Sequence, residues 1–368
     1  MRLTSQLRLL PTAEQAAKLS ATMRAVNAAA TEAARVGFKN GVFGQVSIHR
    51  LCYRDIRERF DLPANIAVRA IAKAVEGLAF SRGVCPEFAP MGAVPCSDRT
   101  YRIASPQVVS IAVLGGRIKV PYFVADYFKE SLSQKRGEAD LVYRDGKWFL
   151  CIAVEFDEPP PIEPKDWLGV DLGIKNLATD STGEAFSGET VERNRRRRAV
   201  ARKQYQRKGT KNAKRRLKRM AGRQGRFQAI VNHAISKRLV AKAKALGFGI
   251  AIEDLTGIRS RAEPTASKRF RQRLGNWAFA QLRRFVEYKA KRAGVPVMAV
   301  DSRDSSKTCS SCGHCERANR PSQSGFHCRH CGFSLNADHN AALNLRARVV
   351  SKPAPQAAGF GLAAKPSP

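Results

Sequence analysis

The sequence predicts an α/β protein of more than one domain, and three observations support this fold class. The chain has 368 residues, 43% of them hydrophobic, which is more than a single hydrophobic core usually contains. Strand-like and helix-like patterns alternate along it. The proline run 159–161, followed by Pro164, is typical of a linker and separates a first half from a second.

The first half is expected to contain helices inserted between strands. A strand over residues 3–10 precedes a capping box of Thr12 and Gln15, which starts an Ala-rich helix. Asp145-Gly146 is a strong signal for a two-residue hairpin turn. We expect helices over 12–37, 48–60 and 64–78, a loop over 83–97, and strands over 108–113, 117–122, 139–143 and 147–154.

The second half is expected to alternate strands with helices. Apolar positions between 274 and 286 mark an amphipathic helix that ends at Gly294. A last helix is expected over 336–349, and the Pro-, Ala- and Gly-rich tail 351–368 is expected to be disordered. The strands are expected over 167–173, 177–186 (as a pair), 247–253 and 295–300.

The charge of the chain favours a polyanionic partner. Lys and Arg number 65 against 31 Asp and Glu, a net charge of +34, and a polyanion would relieve the resulting self-repulsion. Membrane phospholipid is the alternative polyanion. However, no apolar run approaches the roughly 18 residues of a spanning helix, and the Met1 end lacks the apolar core of a signal peptide. We therefore expect a cytoplasmic protein that acts on nucleic acid and not on a membrane.

Five cysteines share one short window and predict a metal site. Cys309-x2-Cys312 and Cys328-x2-Cys331 are separated by 15 residues, the spacing of a four-thiolate zinc ribbon. A glycine follows the second cysteine of each pair, as a tight turn requires. With Cys315 the first pair also resembles part of an iron–sulfur motif, so an iron–sulfur site is an alternative to zinc. His327 or His330 could replace a thiolate as a zinc ligand. The window is also compatible with unrelated buried thiols, which is how we interpret Cys52, Cys85, Cys96 and Cys151.

Three acids lie at the ends of separate elements. Asp171 ends one apolar strand, Glu253 ends another, and Asp338 lies at the start of the last helix. Neighbouring strands are about 5 Å apart, so carboxylates at their ends can converge on Mg²⁺ or Mn²⁺, as two-metal phosphodiester hydrolysis requires. Taken alone, each acid is better explained as a residue that merely ends a strand or caps a helix. Asp254, beside Glu253, shows this ambiguity.

The second half carries motifs of a known family. Residues 170–176 (VDLGIKN) resemble the first RuvC motif of TnpB proteins and the related type V CRISPR effectors. Residues 252–255 (IEDL) are similar to the second motif, and 336–342 (NADHNAA) to the third. Residues 305–313 and 326–332 resemble the zinc-ribbon segments of the same family, and residues 275–277 and 287–290 resemble the helix that precedes the ribbon. In the first half the resemblance is weaker and is limited to residues 137–140 and 145–148.

This resemblance implies a transposon-encoded, RNA-guided DNA endonuclease whose catalytic, Mg²⁺-binding triad is Asp171, Glu253 and Asp338. It would cut double-stranded DNA beside a short flanking motif, with zinc and a guide RNA from the end of its element as cofactors. A monomer in the prokaryotic cytoplasm, associated with the nucleoid, is expected. The implied domains are a wedge-like β-barrel (1–10 and 98–160), an inserted helical recognition lobe (11–97), an RNase H-like RuvC domain (165–304 and 335–350) and an inserted zinc ribbon (305–334).

A basic segment is the other candidate functional element. Residues 193–226 are half Lys or Arg and contain no acid. Such runs are usually solvated helix faces, but without acids to pair with, repulsion would oppose an isolated helix. We interpret the segment as neutralising a guide–target duplex, with Tyr205 and Phe227 either stacking on bases or packing. The candidate contacts are Arg195, Arg196, Arg197, Arg198, Arg202, Lys203, Lys214, Arg215, Arg216, Lys218 and Arg219.

Three other functions fit parts of the sequence. An RNA-guided DNA-binding repressor without nuclease activity would not need all three acids. A transposase would join DNA strands as well as cut them. A plain zinc-ribbon RNA-binding protein would leave the two strand-end acids unexplained. We therefore favour the guided nuclease.

Overall fold

The computed structural model describes residues 1–81, 83–255 and 278–350. The chain divides into two compact units, Met1–Asp157 and Glu158–Pro368. Two predictions lie outside the described residues. They are the disordered tail over 351–368 and the first part of the amphipathic helix at 274–277, which includes the motif residues 275–277. No helix among the described residues is long and apolar enough to cross a membrane.

The first unit contains an antiparallel sheet of seven strands in the order β2-β6-β7-β1-β5-β4-β3. These strands are β1 (Arg2–Leu9), β2 (Val94–Cys96), β3 (Tyr101–Ser105), β4 (Val108–Val113), β5 (Gly116–Phe123), β6 (Lys135–Arg144) and β7 (Lys147–Glu155). Asp145 and Gly146 have φ of 51° and 75°, which confirms the hairpin turn between β6 and β7. Closure of the sheet into a barrel stays a prediction.

Helices pack on this sheet around one shared core. They are α1 (Ala13–Lys39), α2 (Gln45–Arg59) and α3 (Ala64–Phe80). A short helix, α4 (Asp126–Lys129), follows β5. The predicted capping box is present, with Gln15 N donating to Thr12 Oγ1 (3.2 Å) and Thr12 N to Gln15 Oε1 (3.1 Å). The prediction of a loop over residues 83–97 was wrong at its carboxyl end, where β2 pairs with β6. Neither β2 nor α4 is long enough to show a period in the sequence.

The second unit contains a mixed sheet of five strands in the order β10-β9-β8-β11-β12. These are β8 (Asp166–Asp171), β9 (Asn176–Asp180), β10 (Ala185–Ser187), β11 (Phe248–Asp254) and β12 (Val297–Asp301). β8, β11 and β12 are parallel, while β9 and β10 are antiparallel to their neighbours. The carboxyl ends of β8 and β11 therefore meet at one edge. A separate hairpin joins β13 (Gly325–His327) to β14 (Ser334–Asn336).

Helices cover both faces of the mixed sheet. They are α5 (Glu189–Lys208), α6 (Lys211–Leu246), α7 (Phe279–Ala293) and α8 (Ala337–Val350). On one face Val170 and Ile252 pack against α6 and α7, and on the other Ala251 packs against α8. Gly169 lies on the α8 side, where a Cβ would overlap the carbonyl oxygen of Ala342. Glycine at this position thus allows α8 to approach β8 closely.

The basic segment 193–226 is helical, although its repulsion was expected to oppose an isolated helix. The helices are not isolated, because α5 and α6 pack against each other. Gly209, with φ of 61°, ends α5 in the left-handed region. Thr210 then caps α6 by accepting a hydrogen bond from Ala213 N (3.2 Å). Arg198 donates across the pair to Met220 O (3.3 Å).

Candidate functional site

The three predicted acids converge at the edge where β8 and β11 end. Asp171 is the last residue of β8, Glu253 lies one residue before the end of β11, and Asp338 is the second residue of α8. Glu253 is 9% exposed, and its Oε2 accepts a hydrogen bond from Leu172 N (3.2 Å). All three carboxylates thus come from separate elements, as the sequence indicated.

The pKa of Asp171 shows how close these charges are. Burial raises it well above its ordinary value, and the negative charges of Glu253 and Asp338 raise it further, while Arg320 acts in the opposite direction. A carboxyl group beside two others is the arrangement that enzymes use to shift proton affinities or to hold metal ions. The cluster is therefore the candidate reactive centre of this chain.

Two residues at this centre were missed by sequence reasoning. Asn176 Nδ2 donates to Asp338 Oδ2 (2.9 Å), and Arg320 Nη2 lies 3.7 Å from Asp338 Oδ1. Asn176 lies inside the first motif, so the sequence could have indicated that it lies near the acids. Arg320 is one of 65 cationic residues, and nothing in its local sequence marks it.

Two further acids near this edge, Asp254 and Asp180, each lie directly against a cation. Asp254 Oδ1 pairs with Arg283 Nη1 (2.8 Å), which resolves its ambiguity with Glu253. Asp180 is fully buried, and burial alone would raise its pKa. Hydrogen bonds from Lys242, Thr182 and the backbone of Glu184 outweigh this effect and lower the pKa. Unlike Asp171, these acids have cations directly against them.

The four predicted zinc ligands lie together. The Sγ atoms of Cys309, Cys312, Cys328 and Cys331 all lie within 4.8 Å of one another. The Cys309–Cys331 and Cys312–Cys328 sulfur distances are 3.7 and 3.6 Å. A tetrahedral zinc site with Zn–S bonds of about 2.3 Å has sulfurs about 3.8 Å apart, so the cluster fits a four-coordinate zinc ion.

Backbone turns explain why these four thiols meet and the fifth does not. Gly313 N donates to Cys309 O (2.9 Å) and Gly332 N to Cys328 O (3.0 Å), and both glycines have positive φ, 78° and 73°. The two turns are thus equivalent. Cys315 lies outside the group, because its residue pairs with Thr308 in a β-bridge. The two histidines considered as ligands are engaged elsewhere: His327 contacts Ser334 Oγ (2.7 Å), and His330 stacks on His314.

The basic residues lie on the paired helices α5 and α6 and differ in accessibility. Arg195 is held by Glu192 through two bonds of 2.8 Å, and Glu192 also pairs with Arg196 (3.2 Å). Arg198 is half-buried at the α5–α6 contact. Arg216 lies over the ring of Tyr205, 5.7 Å from its centroid, so this aromatic ring packs within the protein. The exposed candidates are Arg196, Arg197, Arg202, Lys203, Lys214, Arg215, Arg216, Lys218 and Arg219.

Comparisons with known proteins agree with these features. Residues 149–257 match the OrfB_IS605 family, described as "Probable transposase", and residues 279–345 match the Cas12f1-like TNB domain. The chain is 30% identical over 227 residues to the CRISPR-associated endodeoxyribonuclease Cas12f1 of Sulfoacidibacillus thermotolerans, covering 57% of this chain and 52% of the relative. It is 36% identical over 129 residues to a TnpB-like protein of Methanocaldococcus jannaschii, covering 35% and 45%.

The chain spans about half the length of the curated relatives it matches. Its fold resembles that of the protein in the solved Cas12f1–sgRNA–target DNA complex, with a TM-score of 0.62 and 15% sequence identity, over 89% of this chain and 82% of the other. The motifs, the two family models and these relatives agree in showing that the chain is similar to TnpB-like and Cas12f1 proteins.

Proposed function

We propose that this protein is an RNA-guided DNA endonuclease of a mobile element, with Asp171, Glu253 and Asp338 as its nuclease centre. The observation that carries the proposal is the convergence of three carboxylates, which raises the pKa of Asp171. Such repulsion destabilises a protein unless a cation is bound there. The relatives named as endodeoxyribonucleases support the same activity.

Carboxylate oxygens are the ligands that Mg²⁺ and Mn²⁺ prefer, so the donor set fits these ions. Bound there, two such ions would supply the activated water and the stabilisation of the leaving oxygen that phosphodiester hydrolysis needs. The protein's own groups orient the acids: Leu172 N holds Glu253, and Asn176 holds Asp338. Arg320 offsets part of their negative charge.

We assign the second unit to an RNase H-like RuvC domain (165–304 and 335–350) with an inserted zinc ribbon (305–334). The strand order, with β8 antiparallel to β9 but parallel to β11, and the packing of α8 on β8 support this assignment. The first unit would be the β-barrel with its helical lobe, which would read the flanking motif. Zinc at the four thiolates would fasten the two turns of the ribbon together.

The exposed cations of α5 and α6 would hold the guide RNA and its duplex with the target. The net charge of +34 exceeds what a short DNA footprint needs, and the Cas12f1 protein of similar fold was solved with sgRNA and target DNA. Such a duplex is held through its backbone phosphates, whatever its sequence.

The decisive experiment compares RNA-free and RNA-loaded protein on one matched and one scrambled DNA target. We expect magnesium-dependent cutting of the matched target by the RNA-loaded protein only. Asp338→Ala should bind the same target without cutting it, because it loses a metal ligand but no phosphate contact. Equal cutting of both targets, or site-specific cutting without RNA, would contradict RNA guidance.

A transposase is the second candidate, because one matched family is described by that activity. It would produce joined strands in which a labelled DNA end is covalently linked to a new target. A nuclease would leave only cut ends. Joined products in the same reactions would therefore favour the transposase.

A further inference from the structure

Two buried asparagines on one face of α8 join this helix to the ribbon. Asn340 is fully buried and Asn344 is 7% exposed, and they lie one helical turn apart. Asn340 Oδ1 accepts from Ser310 N (3.0 Å), and its Nδ2 donates to Thr308 O (2.8 Å). Asn344 Nδ2 donates to Ser305 O (2.8 Å) and to Thr308 O (2.7 Å). Together the two amides hold the backbone of residues 305–310.

The backbone that they hold belongs to the first cysteine turn. Ser310 directly follows Cys309, whose side chain is buried in the small core of the ribbon. Ala337, the first residue of α8, lies in the same core, and its N–H donates to Ser324 O (3.0 Å). The start of α8 is therefore built into the ribbon, and Asp338 is the next residue.

We propose that Asn340 and Asn344 are positioning residues that make the geometry of Asp338 depend on the cysteine cluster. The inference rests on the function proposed above for the two metal sites. Metal binding and folding are coupled in small ribbons, because the thiolates must be brought together before they form a site. An ordered ribbon fixes the first cysteine turn, the two amides fix α8 to that turn, and Asp338 is held against the other two acids. Loss of the zinc or of the amides weakens the carboxylate site without removing any of its oxygen atoms.

A general stabilising role is the competing explanation, since any buried amide that loses its partners destabilises a fold. Asn232 provides a matched control because it is 2% exposed and its side-chain amide also makes hydrogen bonds to a second element. Its Nδ2 donates to Ala278 O (3.2 Å) and to Gln281 Oε1 (2.9 Å), so it joins α6 to the start of α7 rather than α8 to the ribbon. A positioning role and a stabilising role therefore predict different outcomes for the two asparagines.

The test is Mn²⁺ binding to the full chain without nucleic acid, measured by titration calorimetry together with zinc content and thermal unfolding. Asn340→Ala should keep its zinc and bind Mn²⁺ about tenfold more weakly or worse, the range seen when groups that orient metal ligands are removed. Asn344→Ala should give a smaller loss and serves if Asn340→Ala fails to fold. Asn232→Ala should unfold at lower temperature but bind Mn²⁺ within about twofold of wild type.

Zinc removal completes a thermodynamic cycle. Zinc-stripped wild type should show the same weakening, and zinc-stripped Asn340→Ala should be no worse than either single change, because both break one link. Additive losses, or unchanged Mn²⁺ affinity in both asparagine variants, would overturn the link and leave the nuclease centre standing. If wild type binds no Mn²⁺, or Asp338→Ala binds it equally well, the proposed centre itself fails, and the link with it.

Discussion

Asp171→Asn should stabilise the protein in magnesium-free buffer, although it replaces a carboxylate of the proposed nuclease centre by an amide. Burial and the charges of Glu253 and Asp338 raise the pKa of Asp171, so its charged form is disfavoured in the folded state. Each unit by which a pKa is raised costs the folded state about 1.4 kcal/mol at neutral pH. We therefore expect a gain on the order of 1 kcal/mol or more, and each kcal/mol raises the unfolding temperature of a unit of this size by about 2–4 °C.

The sign of this effect depends on pH. Because the pKa of Asp171 is raised on folding, stability falls as the pH rises from the ordinary carboxyl pKa of about 4 towards the raised value. The gain in Asp171→Asn should be present at pH 7 and absent near pH 4. Differential scanning calorimetry at both pH values measures it, without chelators so that zinc stays bound. Added Mg²⁺ should then stabilise wild type and not the variant.

Asp254→Asn is the matched control, because Asp254 lies on β11 beside Glu253 but pairs with Arg283 (2.8 Å). Removing a charge that has a partner should give no gain at pH 7. Equal gains in both variants, no gain in Asp171→Asn, or a gain that persists at pH 4 would contradict charge repulsion at Asp171.

Three further predictions follow from the other sites. Elemental analysis should find about one zinc per chain in the wild type and less in Cys312→Ser, whose ribbon should also be destabilised. Cys315→Ser should keep its zinc, and loss of zinc in this variant would contradict the four-thiolate assignment. Asp180→Asn should destabilise the second unit by about 1.5–3 kcal/mol in thermal unfolding, because a charged acceptor of several hydrogen bonds is lost; an unchanged or higher stability would show that this carboxylate is not structural. The third prediction concerns a variant in which four exposed cations of α6 are replaced by Gln, namely Lys214, Arg215, Lys218 and Arg219. It should bind all guide sequences more weakly to the same extent, and its binding should depend less on salt in filter-binding titrations. A loss of binding for some guide sequences only would argue against phosphate contacts.

Most long elements could be predicted from the sequence, because their periods and end signals are local. The capping box at Thr12 and the Asp145-Gly146 turn are examples of such signals. The basic segment was different, because its helices exist through pairing between α5 and α6, which no local pattern shows. The strand β2 and the helix α4 were missed because they are too short to show a period.

The candidate site was also only partly predictable. The cysteine spacing determines which thiols can meet, so the four-thiolate cluster was visible and Cys315 could not be placed. The acids were visible as strand ends and motif members. Arg320 was not, because it reaches Asp338 from the ribbon through tertiary structure alone.

The faces of the mixed sheet explain which acids lie directly against a neutralising cation. Side chains alternate between the faces of a strand, so Asp171 shares the α8 face with Gly169, while Val170 points towards α6 and α7. Asp180 pairs with Val170 across the sheet and thus points to the α6 side, where Lys242 on α6 neutralises it.

The same alternation separates Glu253 from Asp254 on β11, where Asp254 meets Arg283 on α7. Of these four acids, Asp180 and Asp254 thus lie against cations of α6 and α7, whereas Asp171 and Glu253 lie beside a third acid, Asp338. Burial and the two neighbouring carboxylates raise the proton affinity of Asp171, and a cation bound among the three acids would relieve their repulsion.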